Sequence, residues 1–199
     1  MKQHAAATGR NRGPILEMLQ QWLPPEGVVL EIASGTGEHA CWLAPRLPGR
    51  RWQPSDCSTQ ALASIAAWRQ EEDVSAQVAP PLLLDVRTTP WPVTQADALF
   101  CANMIHISPW ASAEALMAGA GRLLPGGGVL ILYGPFKQEG HHTAPSNRDF
   151  DADLRARNPD WGVRDLEAVD RLAQAAGLDR AATIAMPANN LGVVWRRRP

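Results

Sequence analysis

The feature that most constrains this chain is a glycine-paired segment that directly follows an apolar run. Residues 28–32 read Val-Val-Leu-Glu-Ile, and residues 33–40 continue Ala-Ser-Gly-Thr-Gly-Glu-His-Ala. The apolar run predicts a buried strand and the residues after His39 predict a helix, so Gly35 and Gly37 fall where strand becomes helix. A glycine at such a junction allows a sharp turn and the close approach of a ligand. The segment therefore predicts a cradle for a nucleotide cofactor.

Length and composition favour a single domain over residues 1–199, with a helical lead-in over residues 1–26. The 199 residues are 45% apolar, which suffices for one core of ordinary size. The net charge of −1 gives no general attraction to nucleic acid or to an anionic membrane. We therefore expect neither as a partner.

The cysteines and the apolar runs indicate the compartment. Cysteines are few and scattered without CxxC spacing, which indicates reduced thiols; they are Cys41, Cys57 and Cys101. No apolar run reaches the roughly 18 residues of a membrane span, and residues 1–12 have no apolar core of signal-peptide type. We therefore expect a cytoplasmic protein.

Strand-like and helix-like segments alternate along most of the chain. Further strands are predicted at residues 51–54, 82–84, 96–101 and 129–133. Helices are predicted from Gly13-Pro14 to Trp22, and at residues 58–69, 110–124 (with Ser108-Pro109 as its cap) and 164–176. This alternation predicts a parallel sheet with helices on both faces.

The C-terminal segment departs from the alternation. Residues 181–186 and 191–196 read as strands, and only Pro187-Ala188-Asn189-Asn190 separate them. So short a connection permits antiparallel pairing alone, because a parallel return needs a dozen or more residues. We therefore predict a doubly wound α/β fold, with a seven-stranded, mostly parallel sheet that ends in an antiparallel C-terminal hairpin.

The glycine turn fits two cofactor classes. Gly35-x-Gly37-x-x-Ala40 matches a dinucleotide fingerprint, as in NAD-dependent enzymes. Glu31-x-Ala33-x-Gly35-x-Gly37 resembles the turn of class I S-adenosylmethionine (SAM) methyltransferases, although Ala33 stands where that pattern usually has its first glycine. The predicted C-terminal hairpin also resembles the class I methyltransferase sheet, whereas a dinucleotide-binding Rossmann domain usually lacks it.

Acids at the predicted strand ends extend the candidate site. Ligands of doubly wound sheets lie across the carboxyl ends of the strands, where Asp56 and Asp85 stand. Asp56 suits the ribose hydroxyls of either cofactor, since a carboxylate is a bidentate acceptor. Asp85, followed by Val86, occupies the place where class I methyltransferases commonly meet adenine, which favours SAM. Either acid could instead only cap the helix that follows it.

Seven segments in one order across nearly the whole chain resemble the methyltransferase-like protein 26 family, long catalogued as a domain of unknown function. They are residues 11–16, 30–39, 103–110, 133–136, 146–151, 161–165 and 186–190. The resemblance implies a class I SAM-dependent fold with S-adenosylhomocysteine (SAH) as product. It implies no substrate and no catalytic residue. The candidate cofactor contacts are Asn11, Glu31, Ala33, Ser34, Gly35, Gly37, Asp56, Asp85, Val86, Asn103 and Met104.

Candidate substrate-side residues come from two later segments. In this architecture residues 103–110 face the methyl donor, and His106 there could take a proton near neutral pH, or be a satisfied half-buried histidine. Residues 134–163 form the longest stretch without a clear pattern and predict a lid loop. It supplies His141 as a second catalytic candidate. The candidate substrate contacts are Tyr133, His142, Asn147 and Arg148.

The leading functional hypothesis is methyl transfer from SAM to a small molecule, an in-line displacement that depends on alignment. A non-catalytic SAM-binding or partner-binding module is the first alternative, and an NAD-dependent oxidoreductase is the second. The histidines have no HxxxH or HxxE spacing, so no metal site is expected.

Overall fold

The computed structural model describes residues 1–199, which form ten strands and six α-helices. The strands are β1 (Gly27–Ile32), β2 (Arg50–Asp56), β3 (Leu82–Leu83), β4 (Ala98–Ala102), β5 (Val129–Gly134), β6 (Phe136–Gln138), β7 (His141–His142), β8 (Arg164–Asp165), β9 (Leu178–Met186) and β10 (Asn190–Arg197). The helices are α1 (Thr8–Trp22), α2 (Glu38–Leu43), α3 (Thr59–Glu71), α4 (Trp110–Leu123), α5 (Pro145–Arg157) and α6 (Leu166–Ala175). None of the helices combines the length and the apolar character that crossing a bilayer requires.

Seven of the strands form one sheet in the order β3-β2-β1-β4-β5-β10-β9. β1 pairs in parallel with β2 and with β4, and β2 pairs in parallel with β3. β10 is antiparallel to both β5 and β9. The predicted α/β fold, with a mostly parallel seven-stranded sheet and an antiparallel C-terminal hairpin, is therefore confirmed.

The chain forms two compact units, residues 1–101 and residues 102–199. In the N-terminal unit, Val29, Leu30 and Ile32 of β1 are buried, as is Trp52 of β2, whose ring packs edge-on against Phe100 with centroids 6.1 Å apart. The glycine turn follows β1 at residues 33–37 and leads into α2. The core of this unit therefore supports the turn directly.

In the C-terminal unit, β5 is buried along its whole length, and β10 pairs with it over six residues. Trp195 of β10 is fully buried, and its indole N–H donates to Asp170 of α6 at 2.8 Å. A second sheet of three short strands has the order β7-β6-β8. Its first strand in the chain, β6, begins almost directly after β5.

Residues 134–163 are not an irregular loop, so that prediction is wrong. They hold β6, β7 and the 13-residue helix α5. Three apolar residues that are widely spaced in the sequence anchor the segment in the core, namely Phe136, Leu154 and Val163. The remaining residues are mostly polar, and this hides the helical period of α5.

Two helices differ from the predictions, α1 in its first residue and α4 in its cap. α1 begins at Thr8 and contains Pro14, because a single missing backbone hydrogen bond is outweighed by the burial of Ile15, Met18 and Leu19. Of the predicted Ser108-Pro109 cap, Pro109 occupies the N-cap position of α4, whereas the Ser108 hydroxyl donates to the carbonyl of Met104 at 2.7 Å.

Candidate cofactor and substrate sites

The turn after β1 has three residues in the left-handed backbone region. Their φ angles are +55° for Ala33, +56° for Gly35 and +86° for Gly37. This conformation is unfavourable for residues with a Cβ by about 1 kcal/mol. Ala33 nevertheless occupies it, which shows that the turn tolerates a methyl group at the position where the SAM pattern has its first glycine.

The two glycines of the turn have different surroundings. A Cβ on Gly37 would lie 2.7 Å from Cα of Ile65, so Gly37 allows α3 to pack against the turn. A Cβ on Gly35 would meet no protein atom within 4 Å. Gly35 therefore presents bare backbone to open space, which is what a ligand that binds closely to the turn requires.

Hydrogen bonds from buried polar groups of β1 and β2 fix the turn. Glu31 is 2% exposed, and its Oε2 accepts hydrogen bonds from the Ser34 hydroxyl at 2.7 Å and from the indole N–H of Trp52 at 3.0 Å. The backbone N–H of Gly35 donates to Oδ2 of Asp56 at 2.9 Å. Side chains from the ends of β1 and β2 thus fix the turn in one conformation.

Burial raises the pKa of Glu31 to about 7, although the hydrogen bonds from Trp52 and Ser34 favour its charged form. The nearby Asp56 charge raises the pKa of Glu31 further. The Glu31 carboxyl therefore changes its charge close to neutral pH.

This raised pKa predicts a pH-dependent stability. Between pH 4.5 and 7 the folded protein keeps the Glu31 proton while the unfolded chain has released it, so the contribution of Glu31 to stability falls as pH rises through this window. The loss amounts to about 3 kcal/mol. We expect Glu31→Gln to remove this pH dependence. Urea denaturation should therefore show that the free energy of unfolding of the variant, relative to that of the unmodified chain, is about 3 kcal/mol higher at pH 8 than at pH 5. Parallel pH profiles of the two proteins would contradict this prediction.

Asp56 and Asp85 differ in what they bind within the protein. Oδ1 of Asp56 accepts from the N–H of Ser58 at 2.9 Å, while the Ser58 hydroxyl itself caps α3. Asp85 forms a two-point ion pair with Arg87, at 2.8 Å and 3.1 Å, which lowers the pKa of Asp85. No helix lies between β3 and β4, so the alternative interpretation of Asp85 as a helix cap is wrong.

A cavity of about 400 Å³ opens beside Asp85. Its walls are residues that flank the ends of β2 and β3: Cys57, Leu83, Leu84, Asp85, Thr88, Pro90 and Pro92. The lining combines apolar side chains with one carboxylate, a composition suited to a flat ring with a polar edge. Val86 is buried next to Asp85 in the chain.

Asn11 of α1 contacts α2. Its Oδ1 lies 2.8 Å from Nε2 of His39. Burial, aided by the nearby charge of Arg12, lowers the pKa of His39 to about 4. The neutral His39 therefore donates to Asn11 and fixes this amide against α2.

In the C-terminal unit, His106 is 1% exposed, so the half-buried environment considered for it is wrong. Its Nδ1 accepts from the backbone N–H of Arg164 at 3.2 Å, and its Nε2 has no partner. Burial, aided by the Arg164 charge, lowers the pKa of His106 to about 3. Desolvation disfavours the imidazolium cation and so opposes the expected uptake of a proton by His106 near neutral pH.

Three other candidates lie at or near His106. Met104 and Tyr133 are both buried, and Asn103 is half-buried with a φ of +63°. The N–H of Asn103 donates to the carbonyl of Tyr133 at 2.8 Å. The end of β5 and the turn that follows β4 are thus linked through their backbones.

The candidates from residues 141–148 have unlike environments. His141 is exposed on β7, and Arg148 is exposed with only a long contact of 3.7 Å to Asp149. Asn147 is buried, and its amide N–H groups donate to Thr143 and to the carbonyl of Asn189. This amide therefore braces α5 against residues 187–190, a structural role that the sequence did not indicate.

His142 belongs to a charged cluster around Asp151, a side chain only 9% exposed. Oδ2 of Asp151 lies 3.1 Å from Lys137 and 3.2 Å from His142. Its Oδ1 accepts from Arg155 at 3.1 Å and from the N–H of Val163 at 2.7 Å. Burial alone would raise the pKa of Asp151, but Val163 and Lys137 outweigh it and lower this pKa.

The geometry is consistent with the family assignment. The model of the family described as "Protein of unknown function (DUF938)" matches residues 2–197. The chain belongs to this family.

Solved structures share this fold at low sequence identity. An O-methyltransferase family protein from Burkholderia thailandensis superposes with a TM-score of 0.82 at 15% identity, over 96% of this chain and 57% of that one. An O-methyltransferase family 2 protein from Planctomyces limnophilus DSM 3776, complexed with apigenin, gives 0.81 at 19% identity, over 96% and 58%. CalO1, a methyltransferase in calicheamicin biosynthesis in its SAH-bound form, gives 0.74 at 17% identity, over 94% and 54%.

These likenesses establish the fold alone, which is that of class I methyltransferases. The chain spans between 54% and 58% of the length of these three proteins.

Several residues at these sites escaped the sequence interpretation. Trp52 reads as an ordinary buried strand residue, yet its indole holds Glu31. Cys57 and Leu83 line the cavity beside Asp85. Arg164 appeared only within a matched family motif and at the start of a predicted helix. Its guanidinium donates to three backbone carbonyls, and its backbone N–H donates to Nδ1 of His106. The only sign of their roles in the sequence was their position near the candidate acids and histidines.

Proposed function

We propose that this protein binds SAM at the turn after β1 and transfers its methyl group to a small molecule. The observation that carries the proposal is the bare face of Gly35, held by Asp56 and open for at least 4 Å in the direction of a Cβ. A cofactor that lies against backbone needs such a face, and the fold is one in which ligands bind at the carboxyl ends of the strands.

The residues of the N-terminal unit fit SAM chemically. Each oxygen of Asp56 accepts one backbone N–H, and each retains a lone pair for a ribose hydroxyl. The cavity beside Asp85 has the size and the apolar walls that an adenine ring needs, with Val86 as a neighbour. Glu31, Ala33, Ser34 and Gly37 shape the turn, and Asn11 supports α2 from the side of α1.

When bound, SAM supplies an electrophilic methyl group on a sulfonium. The chain has to align a nucleophile with that methyl group and keep water away. In the C-terminal unit, the candidates for this work are His106, Tyr133 and His142, while Asn103 and Met104 remain candidate cofactor contacts. His141, Asn147 and Arg148 are less suited to it by their exposure or by their internal hydrogen bonds. Residues 134–163, which fold into β6, β7 and α5, cover the substrate under this proposal.

A non-catalytic SAM-binding module is the second candidate. The observation that favours it is the environment of His106, whose pKa of about 3 makes it a weak base. An NAD-dependent oxidoreductase has less support, because the antiparallel C-terminal hairpin matches the methyltransferase sheet.

A thermal-shift comparison tests the choice of cofactor. We expect SAM and SAH to raise the melting temperature of the protein and NAD to leave it unchanged, because binding to the folded state alone stabilises it. Stabilisation by NAD alone would overturn the proposal. Methyl-labelled SAM incubated with metabolite pools then separates the enzyme from the binding module: labelled product supports the enzyme, and binding without turnover on any pool supports the module.

The finer assignments belong to the same proposal. The matched motifs support the methyltransferase-like protein 26 family, and the single domain over residues 1–199 follows from it. The net charge of −1 supports a small-molecule substrate over a nucleic acid or a membrane surface. All three cysteines are free thiols, and Cys57 is exposed, which supports a cytoplasmic location.

A further inference from the structure

The Nε2 atom of His106 is a buried polar atom without a hydrogen-bond partner. Because Nδ1 accepts the N–H of Arg164, it carries no proton, and the neutral ring must carry its proton on Nε2. His106 is therefore a donor that lacks an acceptor. Buried donors in native proteins are nearly always paired, so this exception needs an explanation.

The surroundings of His106 prevent its ring from turning toward another acceptor. Phe136 packs edge-on against it with centroids 4.9 Å apart. The guanidinium of Arg164 donates to the carbonyls of Ile105 and Ser108, at 2.9 Å and 2.7 Å, and so fixes the backbone on both sides of His106. No acceptor of the chain meets Nε2 in this arrangement, so the donor is available to an acceptor that a ligand brings.

The side chain of Asn103 lies close to Nε2 of His106. A Cβ on Gly134 would lie 2.7 Å from Nε2 of His106 and 3.1 Å from Oδ1 of Asn103, so both polar groups border one face of this glycine. The side chain of Asn103 is half-buried. A turn of its carboxamide about its own bond would bring the amide N–H groups to the face that Oδ1 now occupies, as a second donor beside Nε2.

The charge next to this pair of donors is positive. Arg164 is bonded to carbonyl groups and forms no ion pair with a carboxylate. No carboxylate contacts the guanidinium directly, and Asp151 and Asp160 act on it from a distance. Two N–H donors near a cation favour an oxygen with negative charge over a neutral acceptor.

We propose that Nε2 of His106 and the carboxamide of Asn103 bind an anionic oxygen of the substrate, a carboxylate or a phenolate. The assignment of this ligand as the methyl acceptor rests on the proposed function. Arg164 is a positioning residue, because it fixes both the orientation and the protonated nitrogen of His106. In this role His106 binds the substrate and removes no proton from it.

Nitrogen NMR of the histidine side chains in the full chain, saturated with SAH, tests this proposal. Benzoate serves as the anionic probe and benzyl alcohol as the neutral one. We expect the His106 ring to show its proton on Nε2 from pH 5 to 8, and benzoate to shift this resonance saturably. Benzyl alcohol should leave it unchanged. A His106 resonance that ignores benzoate, or a ring that titrates between pH 5 and 8, overturns the proposal.

Four variants sharpen the test. Asn103→Asp keeps the shape and the tolerance for positive φ but repels an anion, and should weaken benzoate binding about tenfold or more. His106→Phe should weaken it similarly, while His106→Gln restores part of the affinity through its amide N–H. Ile107→Ala, at an exposed neighbour, should bind benzoate like the unmodified chain. Equal benzoate affinity in all four proteins overturns the proposal.

Calorimetry with SAH and with benzoate separates this proposal from the proposed function. Benzoate binding at His106 without any SAH binding supports the anion site and refutes the methyltransferase proposal. SAH binding without any effect of benzoate on His106 refutes the anion site alone.

Discussion

Gly35→Ala is expected to lower the affinity for SAM at least about a hundredfold, a cost of about 3 kcal/mol in binding. The added methyl group meets no protein atom within 4 Å, so it points into the space that the cofactor occupies under our proposal. The fold should remain intact, with a loss of about 1 kcal/mol in the free energy of unfolding from the φ of +56°. Ala33 already occupies the same backbone region within the turn. Isothermal titration calorimetry gives the affinity, and urea denaturation gives the stability.

Gly127→Ala is the matched control for this experiment. Gly127 also has a positive φ, of +84°, and a Cβ there also meets nothing within 4 Å, but it lies in the turn before β5. Both substitutions therefore carry a similar backbone cost. Only the change at Gly35 should affect SAM. Equal SAM affinities in the two variants and in the unmodified chain would show that the cofactor does not lie against Gly35.

Asp151→Ala is expected to cost about 3 kcal/mol in the free energy of unfolding. The substitution leaves the buried N–H of Val163 without its acceptor and leaves Lys137 and Arg155 without their counter-charge. This cost is smaller than that of breaking a fully buried ion pair, because the Arg155 side chain is 50% exposed and water can solvate its charge when Asp151 is removed. Chemical denaturation at pH 7 measures the difference.

Two further substitutions separate the causes. Asp151→Asn keeps an oxygen for the N–H of Val163 and removes only the charge, so its cost should be about half as large. Asp153→Ala removes another carboxylate of α5, one that is 62% exposed and 3.7 Å from Arg157, and should change stability by less than about 0.5 kcal/mol. A similar loss in the Asp151→Ala and Asp153→Ala variants would contradict the importance of the buried cluster.

The sheet was predictable because strong local signals specify it. The run at residues 28–32 is apolar and ends at a glycine turn, and the three residues between β9 and β10 leave antiparallel pairing as the only choice. The positions of Glu31 and Asp56 follow from the same reasoning, since the ends of neighbouring parallel strands meet at one edge of the sheet. These features depend on residues close in sequence or on general rules of topology.

The rest of the site depends on contacts between residues far apart in sequence. Asp151 meets Lys137 and Val163, and His106 meets Arg164, which follows it by 58 residues. The periodicity of the sequence does not predict such contacts between distant residues. The burial that lowers the pKa of His106 to about 3 is equally invisible in a segment that reads as a polar turn. Sequence reasoning thus located the histidine but not its buried environment.

The position of β10 has a consequence for how the protein is made. This strand lies between β5 and β9, pairing with six residues of one and eight of the other, although it is the last strand in the chain. During synthesis the buried, apolar edge of β5 therefore waits for more than fifty residues before its partner leaves the ribosome. An open edge of this kind is a template for pairing between chains. Nascent chains halted before residue 190 should accordingly be the species that chaperones hold and that aggregate when chaperones are scarce.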